Sequence, residues 1–447
     1  MTTEISDPPR KPLASPAYIL RGHAAPIHAL HIFAQNLRLL SADADGWVVL
    51  WDMVSKRPVT VWKAHGGAVL EVKALSLEDE VTEIYTKQKR HGRDHKLCVW
   101  KLRAEDEHFL DKTLPVDIVA TETKQKRSQP WLLHSLPVNA LNFCAFSMTF
   151  LDLPRASSGE AQPGELQAPR RHVLFAVPNA LDSGGIDIFH LPSERRLATI
   201  KSDPSVKTGM LMAVNLFVSP SSDVYVACAF EDGHIMVFMR RGPIRSSEVD
   251  IESNNQTSWK WNKVYANQPH TQPVLSLDVA PSKDYFVSSS ADALLVKHPI
   301  PGAGMTANYT ANNFVDDQVL KSVNTKHSGQ QGLRIRNDAK IFATAGWDSR
   351  VRVYSCKTMK ELAVLKWHKD GCYAVAFGEA HAATDPPASS DASGVGATRS
   401  DEHRTVETEV RTRSIAAVHR LRSRKIQQTH WLAAGSKDGK ISLWDIY

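Results

Sequence analysis

The sequence predicts an all-β chain, a ring of seven four-stranded sheets whose last sheet is completed by a strand from the N-terminus. Three observations predict it. A phrase near the start, LLSADADGWVVLWD ending at Trp51-Asp52, returns near the end as LAAGSKDGKISLWD ending at Trp444-Asp445. Each has a small-residue strand, a tight Asp-Gly turn and an alternating strand closed by Trp-Asp, and such self-similarity marks a repeat architecture. An upstream half-motif recurs too, a histidine with apolar residues four and seven positions later. It stands at His23 (Ile27, Leu30), His65 (Val69, Val72), His134 (Val138, Leu141), His270 (Val274, Leu277) and His368 (Cys372, Val375). Third, the spacing from His23 to Asp45 equals that from His270 to Asp292, 22 residues in both.

The repeats follow in order. The first runs from Gly22-His23 to Trp51-Asp52, and the second from His65 to DHKLCVW, with Asp94 and Trp100. The third holds VLFAVPNALDSGGIDIF around Asp182, and the fourth VYVACAFEDGHIMVF around Asp232. The fifth opens at His270. The sixth holds IFATAGWDSRVRVY around Asp348, and the seventh runs from His368 to Trp444-Asp445. Phrases such as VLFAV, HIMVF and RVRVY are rich in β-branched and aromatic residues, as half-buried pleated strands require. Gly and Asp mark the turns between them. No long stretch shows a convincing helical period. Seven units fall within the usual range of a β-propeller.

The seventh repeat has only three strands to offer before residue 447. Ala17-Tyr18-Ile19-Leu20, just ahead of Gly22-His23, is the natural donor of the fourth, and its pairing with the last strand would cover an open edge. Seven compact repeats need roughly 300 residues, which leaves roughly 150 for a tail and insertions. These are assigned to 1–16, 103–131, 151–171, 241–260, 301–326 and 379–424, so that 17–447 is one domain behind a flexible tail. The segments 151–171 and 379–424, poor in apolar residues, are expected to be mobile loops. Both join the first and second strands of a blade, so both emerge on one face.

Bulk properties exclude other classes. The net charge of +6 does not by itself imply nucleic acid. The five cysteines, 98, 144, 228, 356 and 372, have no C-x-x-C spacing and read as buried free thiols of a reducing compartment. The N-terminus lacks the apolar core of a secretory signal, and no apolar run is long enough to cross a bilayer.

The His, Asp and Trp-Asp phrasing resembles the WD-repeat propeller family over nearly the whole chain. The resemblance implies a hydrogen-bonded network in each blade: a His before the inner strand, a Ser or Thr on the second, an Asp in the next turn and a Trp on the third. A satisfied network of this kind pins three segments of a blade together. The first repeat matches with His23, Ser41, Asp45 and Trp51. The second offers His65, Asp94 and Trp100, the third His134, and the fifth His270 and Asp292. The sixth has Thr344 and Asp348, with Tyr354 where Trp is expected and no clear His. The last has His368, Asp438 and Trp444, with Ala434 in place of Ser.

Catalytic and metal readings are weaker. His91, Asp94, His95 and Cys98 are close in sequence, but Asp94 is the expected turn Asp and Cys98 belongs to a strand, so no metal or cofactor is expected. No phosphate loop and no nucleophile elbow occurs, and the chain is read as a non-enzyme. Basic clusters at Lys87–Lys96, Lys124–Arg127 and Arg420–Lys425 read as solvated charge, import signals or contacts to acidic partners. Trp347, beside the sixth turn Asp, is a candidate partner contact, Trp being a frequent hot-spot type.

The phrase LRIRNDAKIFATAGWDSRVRVYSCKTMKELAVLKWHKDGCYAVAF, with YILRGHAAPIHALHIF at the start, resembles the G-protein-β-subunit-like group, and within it the fungal ASTRA-associated proteins. That resemblance implies a nuclear, chromatin-linked scaffold, a monomeric propeller inside the ASTRA assembly. Its partners there would be PI3-kinase-like proteins, their Tel–Tti cochaperones and RuvB-like ATPases, with no direct nucleic-acid or membrane contact. A G-protein β subunit should carry an N-terminal coiled-coil helix, where this chain has a short Pro-containing tail. A ubiquitin-ligase substrate receptor often shows Trp-Asp-x-Arg, and neither Trp51-Asp52-Met53-Val54 nor Trp444-Asp445-Ile446-Tyr447 has that Arg.

Overall fold

In a computed structural model the described residues are 14–77, 81–88, 96–121, 127–138, 143–151, 171–249, 259–302, 317–380 and 415–446. They form seven antiparallel four-stranded sheets arranged as the blades of a ring. Blade 1 is built from Ile27–Phe33, Arg38–Asp43, Trp47–Asp52 and Arg57–Lys63, running from the central axis outward. Blades 2 to 6 repeat this meander, their inner strands being Val69–Ser76, Ser147–Leu151, Leu211–Val218, Val274–Val279 and Gln330–Ile335.

Blade 7 takes Cys372–Phe377, Trp431–Ser436 and Lys440–Asp445 from the end of the chain and its outer strand, Tyr18–Arg21, from the start. The closing register is antiparallel, Tyr18 opposite Leu443 and Arg21 opposite Lys440. The expected closure is therefore observed, and Leu20 is buried in the core between blades 7 and 1.

The core is divided into seven clusters, one at each junction between neighbouring blades. The second strands are largely buried on both faces, and the wholly buried VYVACAF of blade 4 is accordingly apolar without alternation. Such a sheet cannot hide either face alone, which makes the ring the stable unit.

Six of the seven inner strands carry a register shift after their first residue, as between Ile27 and Ala29 or Val274 and Ser276. A bulge adds one residue to a strand and changes the side-chain period locally from two to three. This accounts for the spacing seen in the sequence. Ile27 and Leu30, Val69 and Val72, and Cys372 and Val375 are three apart, and all point into the junction cores. The inner strand of blade 3 has no such shift. It is Ser147–Leu151, not the residues that follow His134, and Leu141 lies outside the described residues.

The connections are unequal on the two faces. Second-to-third-strand turns and blade-to-blade loops, which carry the histidines, share one face. First-to-second and third-to-fourth connections share the other, and all the expected insertions belong to it. Their described parts contain more structure than expected: a 3-10 turn Ala104–His108, short helices Pro115–Thr121 and Ser246–Val249, and a helix Ile415–Gln428. The outer strand of blade 5, Lys321–Asn324, lies inside the segment 301–326, which the sequence presents as an insertion. Residues 1–13, 152–170 and 381–414 lie outside the described set.

Candidate interaction site

The predicted network is present in blade 1 with one correction. His23 Nδ1 lies 2.7 Å from Asp43 Oδ2, and its Nε2 lies 2.7 Å from Ser41 Oγ. Trp51 Nε1–H donates to the same Oγ at 2.8 Å. The acid is Asp43 and not Asp45. Asp45 is exposed, and its backbone N–H, like that of Trp47, donates to Asp43 Oδ1. Two aspartates bracket this turn, and the one at the strand end is buried beside the imidazole while the other faces solvent.

Every polar atom has a role in the chain that results. Asp43 accepts from His23 Nδ1–H, which leaves Nε2 to accept from the Ser41 hydroxyl, whose oxygen accepts from Trp51.

The other blades vary this scheme. In blade 2 His65 Nε2 lies 2.8 Å from Thr86 Oγ1, which also accepts from Trp100 Nε1–H at 3.0 Å. Burial pushes His65 down to about 4. Asp94 lies outside the described residues, as do His91 and His95. In blade 5 His270 contacts Asp292 at 3.1 Å and Ser288 Oγ at 2.9 Å. The place of Trp is taken there by His298, whose Nε2 lies 2.8 Å from Ser288 Oγ and whose Nδ1 takes the Tyr265 hydroxyl of blade 4. In blade 6 Thr344 donates to Gln330 Oε1 at 2.6 Å, so Gln330 stands where a His would. Asp348 is gripped through both oxygens by the buried Arg352.

Blade 7 has moved the hydroxyl to the neighbouring strand. Ala434 sits directly opposite Ser442, and Ser442 Oγ receives Trp444 Nε1–H and meets His368 Nε2, both at 2.8 Å. Asp438 lies 3.9 Å from His368 Nδ1.

His134 is the clear miss. It lies on the outer strand of blade 2, Trp131–Pro137, partly exposed, and contacts Glu194 of blade 3 at 2.6 Å.

The axial cavity, about 260 Å³, is lined by all seven inner strands. Because of the bulges, residues three apart both face it and form two tiers. The tier nearer the histidine-bearing face holds His28, Leu70, Met212, Leu275, Gln331 and Tyr373, and the deeper tier holds Lys73, Met148, Asn215, Asp278 and Arg334. The deeper charges pair with each other. Arg334 reaches across from blade 6 to Glu71 of blade 2 at 2.6 Å, and Lys73 Nζ lies 3.8 Å from the same carboxylate. Glu71 holds the Arg334 guanidinium above its ordinary range, while burial pushes Asp278 up against the pull of Arg334. His31, beneath them, is held well below its usual value by burial and by these cations, and accepts from the Ala74 N–H. The deeper tier thus works as a polar plug tying blades 2, 5 and 6. Among the described residues no group of three or more His, Cys, Asp or Glu is placed to hold a metal ion.

Hydrogen-bonded to Gln331, in the tier nearer the histidine-bearing face, stands Trp347, 48 % exposed. Its indole lies over Gly329, where a Cβ would come within 2.2 Å of the ring, and its Nε1–H donates to Gln331 Oε1 at 2.7 Å. Gly329 has φ +73°, a conformation that favours glycine. The platform fixes the indole with one face to solvent, and Phe143, half exposed, lines the cavity.

A closed ring of seven four-stranded sheets around an internally neutralised channel defines the class: a seven-bladed β-propeller. Comparison with known proteins gives the family. The profile of ASTRA-associated protein 1 matches residues 16–444. The chain is 62 % identical to the ASTRA-associated protein 1 of Penicillium rubens, over 97 % of this chain and 98 % of that one. It is 57 % identical to that of Aspergillus flavus over 98 % of both chains, and 31 % identical to that of Schizosaccharomyces pombe over 81 % of this chain and 93 % of that one. The chain belongs to the ASTRA-associated protein 1 family.

Proposed function

We propose that this propeller is a non-enzymatic scaffold subunit of the ASTRA assembly. It works in the nucleus and holds PI3-kinase-like proteins, Tel–Tti-type cochaperones and RuvB-like ATPases together. The observation that carries the reading is the extent of the family match, residues 16–444, which takes in the closing strand and all seven blades. What the family has in common is therefore the ring and its surfaces. The internal pairing of the channel charges and the engagement of the turn aspartates as structural anchors support a binding role over a catalytic one. Trp347, rigid and half exposed, is the residue on the histidine-bearing face best suited to anchor a partner.

Affinity purification of the tagged full chain from its own cells, followed by mass spectrometry, tests the reading. Recovery of a PI3-kinase-like protein with its cochaperones is the expected result, and recovery of a cullin adaptor or a G-protein γ chain in their place overturns it. Trp347→Ala should lower the recovery of at least one partner without lowering the melting temperature. A fluorescent fusion should concentrate in the nucleus.

A further inference from the structure

The helix Ile415–Gln428 lies on the face that carries the insertions, between the first two strands of blade 7. It holds His419, Arg420, Arg422, Arg424 and Lys425 and no acidic residue. Its C-terminal end is fastened with care. Ile426 packs against the core between blades 7 and 1, and its carbonyl accepts from Trp431 Nε1–H at 2.9 Å. Asn36, fully buried in the first loop of blade 1, donates to the Gln427 and Glu379 carbonyls at 3.0 Å, and Gln427 Nε2 donates to Gln35 Oε1 at 2.8 Å. Val418, Ser423, Ile426 and Gln427 are only partly exposed. At 100° per residue these lie on one side, with the exposed His419 and Arg422 among them, and Arg420, Leu421, Arg424, Lys425 and Gln428, all exposed, lie on the other.

Cations in the last turn of a helix are favourable to its dipole, which accounts for Lys425. It does not account for Arg420 a turn earlier, nor for Leu421, which is 52 % exposed between Arg420 and Arg424 on the outward face. Lys56, with its ammonium 4.6 Å over the Trp431 ring, adds a further positive charge beside the anchored end.

From this we infer that the outward face of helix Ile415–Gln428 docks an acidic protein segment that carries an apolar side chain among its carboxylates. Positive charge alone would suit a nucleic-acid backbone equally well. Leu421 decides for protein, because a phosphate backbone offers nothing to an exposed leucine and, among the described residues, the outward side of this helix has no aromatic ring for a base to stack on. The inference rests on the reading of the chain as a subunit that binds other proteins, and adds the surface and the chemistry of one partner.

The test is fluorescence anisotropy with the full chain and three probes: a labelled (Glu-Glu-Leu-Glu)3 peptide, its (Glu-Glu-Gly-Glu)3 counterpart, and a random-sequence DNA duplex. The leucine peptide should bind with an affinity that falls as salt rises, and more tightly than the glycine peptide by about threefold to tenfold, the worth of covering about half of one apolar side chain. Arg420→Glu with Arg424→Glu should weaken it by about tenfold or more, since like charges would then face each other. Leu421→Ser should remove the difference between the two peptides. Lys326→Glu with Lys369→Glu, on the opposite face, should change nothing. Because all these residues are exposed, an unchanged melting temperature confirms that each variant is folded.

The inference is overturned if duplex DNA outcompetes the leucine peptide, if the two peptides bind equally, or if the opposite-face variant weakens binding as much. The peptide assay reads this face alone and the purification reads the assembly, so the two readings can fail separately.

Discussion

Ser442→Ala is the sharpest test of the blade network, because blade 7 has placed its hydroxyl on a different strand from blade 1. The hydroxyl accepts from Trp444 and meets His368, and both partners are buried. Its removal leaves an indole N–H and an imidazole nitrogen without a partner, at about 1–3 kcal/mol each, so about 2–4 kcal/mol is expected once partial relaxation is allowed for. A chain of 447 residues unfolds with an entropy of about 0.9 kcal/mol/K, so the melting temperature should fall by roughly 2–4 °C. The informative variant is the double one. Ala434 faces Ser442 across the strand pair, at the position Ser41 occupies opposite Val49 in blade 1. Ala434→Ser with Ser442→Ala should therefore rebuild the blade 1 arrangement and recover most of the loss. Differential scanning calorimetry of wild type, single and double variants decides it. A single variant that melts with the wild type, or a double variant no better than the single, refutes the assignment.

Other expected outcomes follow from the same geometry. His65 and His190 are both pushed down to about 4, chiefly by burial, whereas the unfolded chain titrates near the ordinary value of about 6.5. Their stabilisation is complete above about pH 6.5 and is lost as pH falls toward 4, because the unfolded state takes up protons first. A melting temperature that stays level from about pH 7 to about pH 4.5 would contradict this. Lys87, fully buried, donates to the Cys144 carbonyl at 2.6 Å, and burial lowers its ammonium to about 8. Lys87→Ala should cost about 2–4 kcal/mol in urea unfolding through the space it leaves, and Lys87→Met should recover most of that. Removal of residues 1–21 exposes the edge of Lys440–Asp445 and takes Leu20 from the core. Light scattering should then show association, and the unfolding free energy should fall by at least about 2 kcal/mol.

Much of the ring could be read from the sequence because its determinants are local. Asp-Gly turns, β-branched strands and the paired Trp-Asp phrases lie within a few residues of each other, and the closing strand follows from counting strands in the last repeat. The His-plus-four-plus-seven pattern was legible as a regularity, yet its cause, a bulge in six inner strands, appears only when the partner strand is known.

Errors arose where contact is not fixed by spacing. Asp43 and Asp45 are equally plausible by position, and only the burial of one beside His23 separates them. His134 has the right apolar residues after it but lies on an outer strand. Ser442 and His298 were passed over because the network they serve is defined in space, and a hydroxyl or an imidazole can reach it from more than one strand. Gln330 does the work of a histidine by the same logic. The helix Ile415–Gln428 gives no clear helical period in the sequence, because its cations are spread along its length and Ile426 is its one described side chain packed against the core between blades 7 and 1.

The closure of blade 7 also sets a timetable. Tyr18–Arg21 leaves the ribosome long before its partner Lys440–Asp445, with the other six blades made in between. At about 5–20 residues per second, the interval is on the order of a minute or less. Throughout it, the side of blade 1 that will meet blade 7, with Ile27, Leu30 and Ile32, has no neighbour. A nascent chain of this protein therefore carries an uncovered apolar wall from the completion of its first blade until its final strand arrives. Its dependence on shielding during synthesis should be greatest for that first blade, although the same blade is among the best buried in the finished ring.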